Sequence, residues 1–101
     1  MAQPVYHNEA KRLRELANDS EVVFSYTRHA LEEMRKDQVW KLDVESVLRR
    51  CSVVRVELNR GEEAWNARGQ DTDERMLEIV VVAYETDLRI KIISAWERKG
   101  G

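Results

Sequence analysis

At 101 residues and a formal net charge of −2, with 43% hydrophobic and 36% charged residues, this chain has the composition of one globular domain with a single modest core. Its only cysteine, Cys51, excludes an internal disulfide and a cysteine-rich zinc site. No apolar run approaches the roughly 20 residues a membrane helix needs, and Met1–Pro4 shows no basic stretch leading into an apolar one, so the expectation is a cytoplasmic protein with no membrane contact.

Residues 1–20 read as an added N-terminal arm and helix. Residues 1–6 form the arm. From Asn8, placed as the helix cap with Glu9 in the first turn, Ala10, Leu13, Leu16 and Ala17 recur at helical spacing. Asn18-Asp19-Ser20 ends this helix. Val22 to Tyr26 is β-branched and aromatic and reads as a strand. Thr27 caps a helix to about Asp37, with Ala30, Leu31 and Met34 facing inward. After a turn that exposes Trp40, Asp43 is the expected cap of a further helix. There Val44, Val47, Leu48 and Cys51 make the clearest amphipathic pattern, which places Cys51 in the core.

Four strands follow. Ser52 to Leu58 sets Val54, Val56 and Leu58 against Arg55 and Glu57, and Ala64 to Arg68 sets Trp65 and Ala67 against Asn66 and Arg68. Met76 to Tyr84 is apolar on both faces, as a central strand is. Leu88 to Trp96 turns Leu88, Ile90, Ile92 and Trp96 inward and Arg89 and Lys91 outward. Glu62, Glu63, Asp71, Asp73 and Glu74 fall at loop positions. The expected fold is a single α+β domain over residues 1–101, with helices packed on a four- to five-stranded antiparallel sheet.

Within this element order lie Ser25-Tyr26-Thr27-Arg28-His29-Ala30, then Glu33-Met34-Arg35, then the acidic-start helix Asp43 to Leu48. The closing hairpin joins Ile79-Val80-Val81-Val82 to the run Ile90 to Trp96. On these segments, Ser25 to Trp96 resembles domain-of-unknown-function family four-two-five-eight. That family looks like a relative of the RelE and BrnT toxins, which place helices before an antiparallel sheet and cleave RNA. The resemblance implies a RelE/BrnT-like, metal-independent ribonuclease acting on mRNA, with no cofactor. RNA and a cognate antitoxin protein would be its partners.

Such cleavage needs a base for the 2′-hydroxyl, an acid for the leaving oxygen and positive charge on the phosphate. His29 is the candidate base, with Arg68 and Lys91 completing the catalytic set. Arg55, Asn66 and Arg89 fall on outward strand faces with them, and Arg35, further along the helix that carries His29, joins them as a phosphate contact. Twelve of the 17 cations are Arg, so a local basic face is compatible with the low net charge. Each assignment has a plainer alternative. His29 can bond a backbone group at the strand–helix corner, and the cations can line a solvated sheet. Trp65 and Trp96 can be core residues rather than base-stacking ones. His7, without a ligand set around it, reads as exposed. The low charge favours a second class of function, a non-catalytic protein-interaction module of the same fold, and a homodimer is compatible with either. The sequence has no Gly-rich phosphate loop and no zinc-ligand spacing.

Overall fold

The computed structural model describes residues 6–99, so the expected arm lies outside the described residues except for Tyr6. Three helices come first: α1 (His7–Ala17), α2 (Arg28–Asp37) and α3 (Lys41–Leu48), with β1 (Val23–Tyr26) between α1 and α2. The strands β2 (Ser52–Asn59), β3 (Glu62–Gln70), β4 (Met76–Tyr84) and β5 (Arg89–Glu97) follow. They build one five-stranded sheet in the order β1-β5-β4-β3-β2.

The α+β architecture is the expected one, but the sheet is mixed. β2, β3, β4 and β5 form an antiparallel meander, whereas β1 runs parallel to β5. A four-residue strand shows its existence in its composition but not its direction. Here that direction is set by Thr27, whose N–H donates to the Ile92 carbonyl and whose hydroxyl donates to the Ile93 carbonyl. This leads the chain off the sheet and into α2.

The helix starts show what decides a cap. Thr27 caps α2 as expected, its Oγ1 accepting from the Ala30 N–H at 3.0 Å. α1 starts at His7 with Tyr6 in the cap position rather than Asn8, and Tyr6 makes no side-chain cap bond. α3 starts two residues before Asp43. Trp40 takes the cap position, and Asp43 reaches back to accept from the Trp40 N–H at 2.7 Å. Asp43 therefore still satisfies the helix start, from the third helical position.

One face of the sheet carries the helices. Leu13 and Leu16 of α1, Ala30 and Met34 of α2, and Val44, Val47, Leu48 and Cys51 at α3 all pack there. They meet Trp65 and Ala67 of β3, Leu77, Ile79 and Val81 of β4, and Ile90, Ile92 and Ala95 of β5. Each fully buried Leu, Ile or Val contributes about 1.5–3 kcal/mol relative to exposure, which makes this face the main source of stability. Leu31, expected inward, is 39% exposed because it lies at the edge of the α2 stripe.

Two β-bulges set the sheet's alternation. One falls between Val53 and Arg55, leaving Val54 unpaired with β3. The other leaves Ile93 without a partner on β4, since Val81 pairs with Ile92 and Val80 with Ser94. An extra residue reverses the parity of everything after it. Ala95 thus faces the core, and Trp96, expected inward, lies half-buried on the helix-free face opposite Glu78. Leu88 sits in the β4–β5 turn at φ 51° instead of in the strand. Asp71, Asp73 and Glu74 fall in the β3–β4 loop as expected, although Asp71 is buried there, whereas Glu62 and Glu63, expected in a loop, open β3.

Candidate functional site

His29 is the second residue of α2, and its side chain is 64% exposed. Its Nε2 lies 3.4 Å from Oε2 of Glu33, one helical turn on. Glu33 is itself anchored, because its Oε1 accepts from the Ala95 N–H at 3.1 Å, just past the Ile93 bulge. A carboxylate fixed to the sheet therefore stands beside the imidazole, within ion-pair distance.

The ring opens onto a groove of about 380 Å³ lined by Thr27, His29, Asn59, Arg60, Glu62, Lys91 and Ile93. Lys91 comes from β5, on the helix-free face, and its Nζ lies 3.6 Å from Glu62 Oε1. The Tyr84 hydroxyl donates to the other Glu62 oxygen, and this bond holds the Glu62 carboxyl below its ordinary value, with Lys91 acting in the same direction. Arg60 reaches the groove through the β2–β3 turn. Arg60 at φ 54° and Gly61 at φ 82° form the two-residue loop between Asn59 and Glu62. Two successive left-handed residues make the type I′ turn that matches the twist of the flanking strands. Gly adopts this conformation freely, whereas Arg does so at a cost of about 1–2 kcal/mol.

The rest of the helix-free face extends from this groove. Arg89 lies over the Tyr84 ring, 4.4 Å from its centroid. Ala64 and Val82 are buried on that face, and Arg55 stands on the edge strand beside Asn66, paired to Glu57 at 3.3 Å. At the far end, Glu78 is an acceptor hub. It receives Asn66 Nδ2 at 2.9 Å, Arg68 NH2 at 3.1 Å and Arg98 NH1 at 2.9 Å. Burial alone would raise the Glu78 carboxyl's pKa, but the hydrogen bonds from Asn66, Arg68 and Arg98 outweigh it and hold it below its ordinary value.

Of the residues singled out in the sequence, the fold brings His29 and Lys91 into one groove and sets Arg89, Asn66 and Arg55 on the face next to it. Arg68 is elsewhere. It pairs with Glu78, four strand residues from the Lys91 level, roughly 13 Å along the sheet at 3.3 Å per residue. Arg35 lies six residues beyond His29 and lines a second groove at the other end of α2. Three groove residues, Asn59, Arg60 and Glu62, and the neighbouring Glu33 were not singled out for the site from the sequence. Glu33 was visible as the i,i+4 partner of His29 on a capped helix. Arg60, Asn59 and Glu62 were not, since only the curl of the β2–β3 hairpin brings its turn over β5.

The second groove, about 990 Å³, runs between the C-terminal half of α2 and the start of α3. Leu31, Met34, Val39, Trp40 and Leu42 supply its apolar lining, and Trp40 and Leu42 are 72% and 76% exposed. Arg75 underlies it, with NH1 donating to the Asp37 and Gln38 carbonyls, and Nε and NH2 directed to Asp71 and Asp43.

Cys51 is buried, and burial pushes its thiol up to about 11, so it is a packing residue rather than a nucleophile. Among the described residues there is no group of three or more His, Cys, Asp or Glu side chains placed to hold a metal ion, and no helix long and apolar enough to cross a membrane.

Helices on one side of a meander, with a charged groove where the start of α2 meets the β2–β3 turn and β5, define the class of domain. The chain belongs to the family described as Domain of unknown function (DUF4258), whose model matches residues 26–97. That span runs from the end of β1 to the end of β5 and leaves α1 outside the match. No curated protein and no solved structure matches the chain.

Proposed function

We propose that the protein is a RelE/BrnT-like ribonuclease that binds single-stranded RNA across the helix-free sheet face and cleaves it in the His29 groove without a metal ion. The observation that carries this reading is the meeting of an exposed His29, beside the Glu33 carboxylate, with Lys91 and Arg60 in one groove. In the proposed step His29 takes the proton of a 2′-hydroxyl, whose oxygen forms a bond to the adjacent phosphorus. The bond from phosphorus to the 5′-oxygen breaks, and the leaving oxygen takes a proton from the Lys91 ammonium. Arg60 stabilises the charge that builds on the phosphoryl oxygens, and Lys91 contributes to that until it gives up its proton. The products are a 2′,3′-cyclic phosphate and a 5′-hydroxyl. Arg89 and Arg55 lie where flanking phosphates would run, while Arg68 supports the sheet through Glu78.

The test is cleavage of a single-stranded RNA oligonucleotide in excess chelator, with the ends of the products identified. His29→Ala should slow cleavage by about 10²–10⁴, the range for losing a positioned base. Equal cleavage by the variant would sink the assignment.

A second reading, a non-catalytic protein-interaction module of the same fold, is favoured by the exposed Trp40 and Leu42 in the apolar groove. A cognate antitoxin protein would seat there. This reading predicts intact RNA in the cleavage assay and loss of antitoxin binding in Leu42→Asp.

A further inference from the structure

β2 is a long open edge. Among the described residues the backbone of Ser52–Asn59 pairs only with β3, so the other side of the strand presents unmet N–H and C=O groups. The opposite edge, β1, is four residues long, and short edges resist pairing. β2 has eight residues, contains no proline, and exposes Leu58 to 77%. Its bulge lies at Val54, outside the stretch from Arg55 to Asn59 that keeps regular register with β3.

The side chains on this edge are arranged in a self-complementary order. Arg55 and Glu57 flank Val56 and project to the helix-free face, with side chains 67% and 45% exposed. Directly opposite residues of an antiparallel pair project to the same face. A two-fold axis through Val56 therefore places Arg55 against Glu57 of a second copy, Glu57 against its Arg55, and Val56 against its Val56. It also brings Leu58 alongside Val54 of the copy. Slipping the pair by two residues in either direction sets Glu57 against Glu57 or Arg55 against Arg55, so charge selects a single register.

We infer that β2 is a dimerisation edge that takes β2 of a second copy of this chain, antiparallel and centred on Val56, to form one continuous ten-stranded sheet. The occupant is a second copy rather than an unrelated strand because the charge order complements itself under a two-fold axis. The inference is independent of RNA cleavage. It stands or falls on assembly alone.

Sedimentation equilibrium of the whole chain tests it. The wild type should be a dimer at micromolar concentration, with a dissociation constant that rises with salt. Arg55→Glu and Glu57→Arg each turn two attractive cross-strand pairs into two repulsive ones and should weaken the dimer by about tenfold or more. The double variant R55E/E57R should restore it. An equimolar mixture of R55E and E57R should form a heterodimer, since both of its cross-strand pairs are again attractive. Circular dichroism checks that each variant is folded. A wild type that stays monomeric at all concentrations, a dimer indifferent to both reversals, or a mixture that fails to associate would overturn the inference.

Discussion

Asn66 of β3 reaches diagonally to Glu78 of β4, with Nδ2 2.9 Å from Oε2, and the same carboxylate receives Arg68, which is directly opposite it, and Arg98. Glu78 is only 8% exposed, so losing its charge strands two guanidinium groups and a buried amide whose Oδ1 already lacks a partner. Glu78→Gln should destabilise the protein by about 1–3 kcal/mol at pH 7, read from urea unfolding. The folded carboxyl sits below its ordinary value, so its contribution is complete above about pH 4.5 and is lost as the pH falls through the lower folded value. The stability difference between wild type and variant should therefore shrink in acid. A constant difference from pH 7 to pH 3 would contradict this account.

Arg75 joins three parts of the chain through one side chain. It bonds Asp71 within its own loop, Asp43 at the start of α3 and the two carbonyls that end α2. Asp71 has no exposed side-chain surface and keeps only the backbone N–H groups of Asp73 and Arg75 when the guanidinium is removed. Arg75→Met should cost about 2–4 kcal/mol, and Arg75→Lys should recover little of it, because an ammonium cannot reach all four acceptors. In a double-mutant cycle with Asp71→Asn, the combined loss should be smaller than the sum of the single losses. Additive losses would mean that Arg75 acts mainly through the two carbonyls.

Within the His29 groove, Glu62 competes with any bound phosphate for Lys91. Glu62→Gln removes that competitor and leaves the Tyr84 hydroxyl a neutral acceptor. RNA affinity should rise about three- to tenfold at low salt, with a steeper dependence on salt as Lys91 becomes free to pair with phosphate. Fluorescence anisotropy of a labelled oligonucleotide reads both quantities. Unchanged affinity would place RNA away from this end of the sheet.

Arg60 holds a left-handed backbone that an asparagine adopts more easily. Arg60→Asn should therefore stabilise the hairpin by roughly 0.5–1 kcal/mol while it weakens RNA binding. Opposite signs in the two assays are what a residue strained for function produces. A loss in both would show that the arginine is there for packing.

The parts of this fold visible in the sequence are those fixed by local pattern. The i, i+3, i+4, i+7 spacing from Val44 to Cys51 needs no knowledge of what it packs against, and all four residues are buried. Thr27 and the apolar run of β4 were legible on the same terms. What escaped depends on contacts distant in sequence. The Ile93 bulge leaves no mark in a run of apolar residues, yet it turns Trp96 to the other face. The candidate site divided in the same way. Lys91 and Arg89 follow from strand alternation before the bulge, whereas separating Arg68 from the groove required knowing that β3 meets β4 at Glu78. Arg60 stands before Gly61 in the β2–β3 turn. Its place beside His29 belongs to the curl of the hairpin.

Gly69 lies where β3 passes under α3. A Cβ built there would come within 3.1 Å of Val47 Cγ1 and 3.7 Å of Cys51 Cα. Val47 is fully buried between α3 and the sheet, so it has little room to turn away, and Cys51 offers only backbone on that side. The backbone at Gly69 is extended, so strain does not come from φ, and an alanine would gain some β propensity. The steric term should prevail. Gly69→Ala is expected to cost about 1–2 kcal/mol, the usual penalty for one methyl group forced into a packed interior. Pairing it with Val47→Ala should recover part of this, because the smaller residue vacates the space the new methyl needs. Thermal unfolding of the two single variants and the double variant checks this. A fully additive double variant would mean that the strand shifts to make room and that the approach at Val47 is not the constraint.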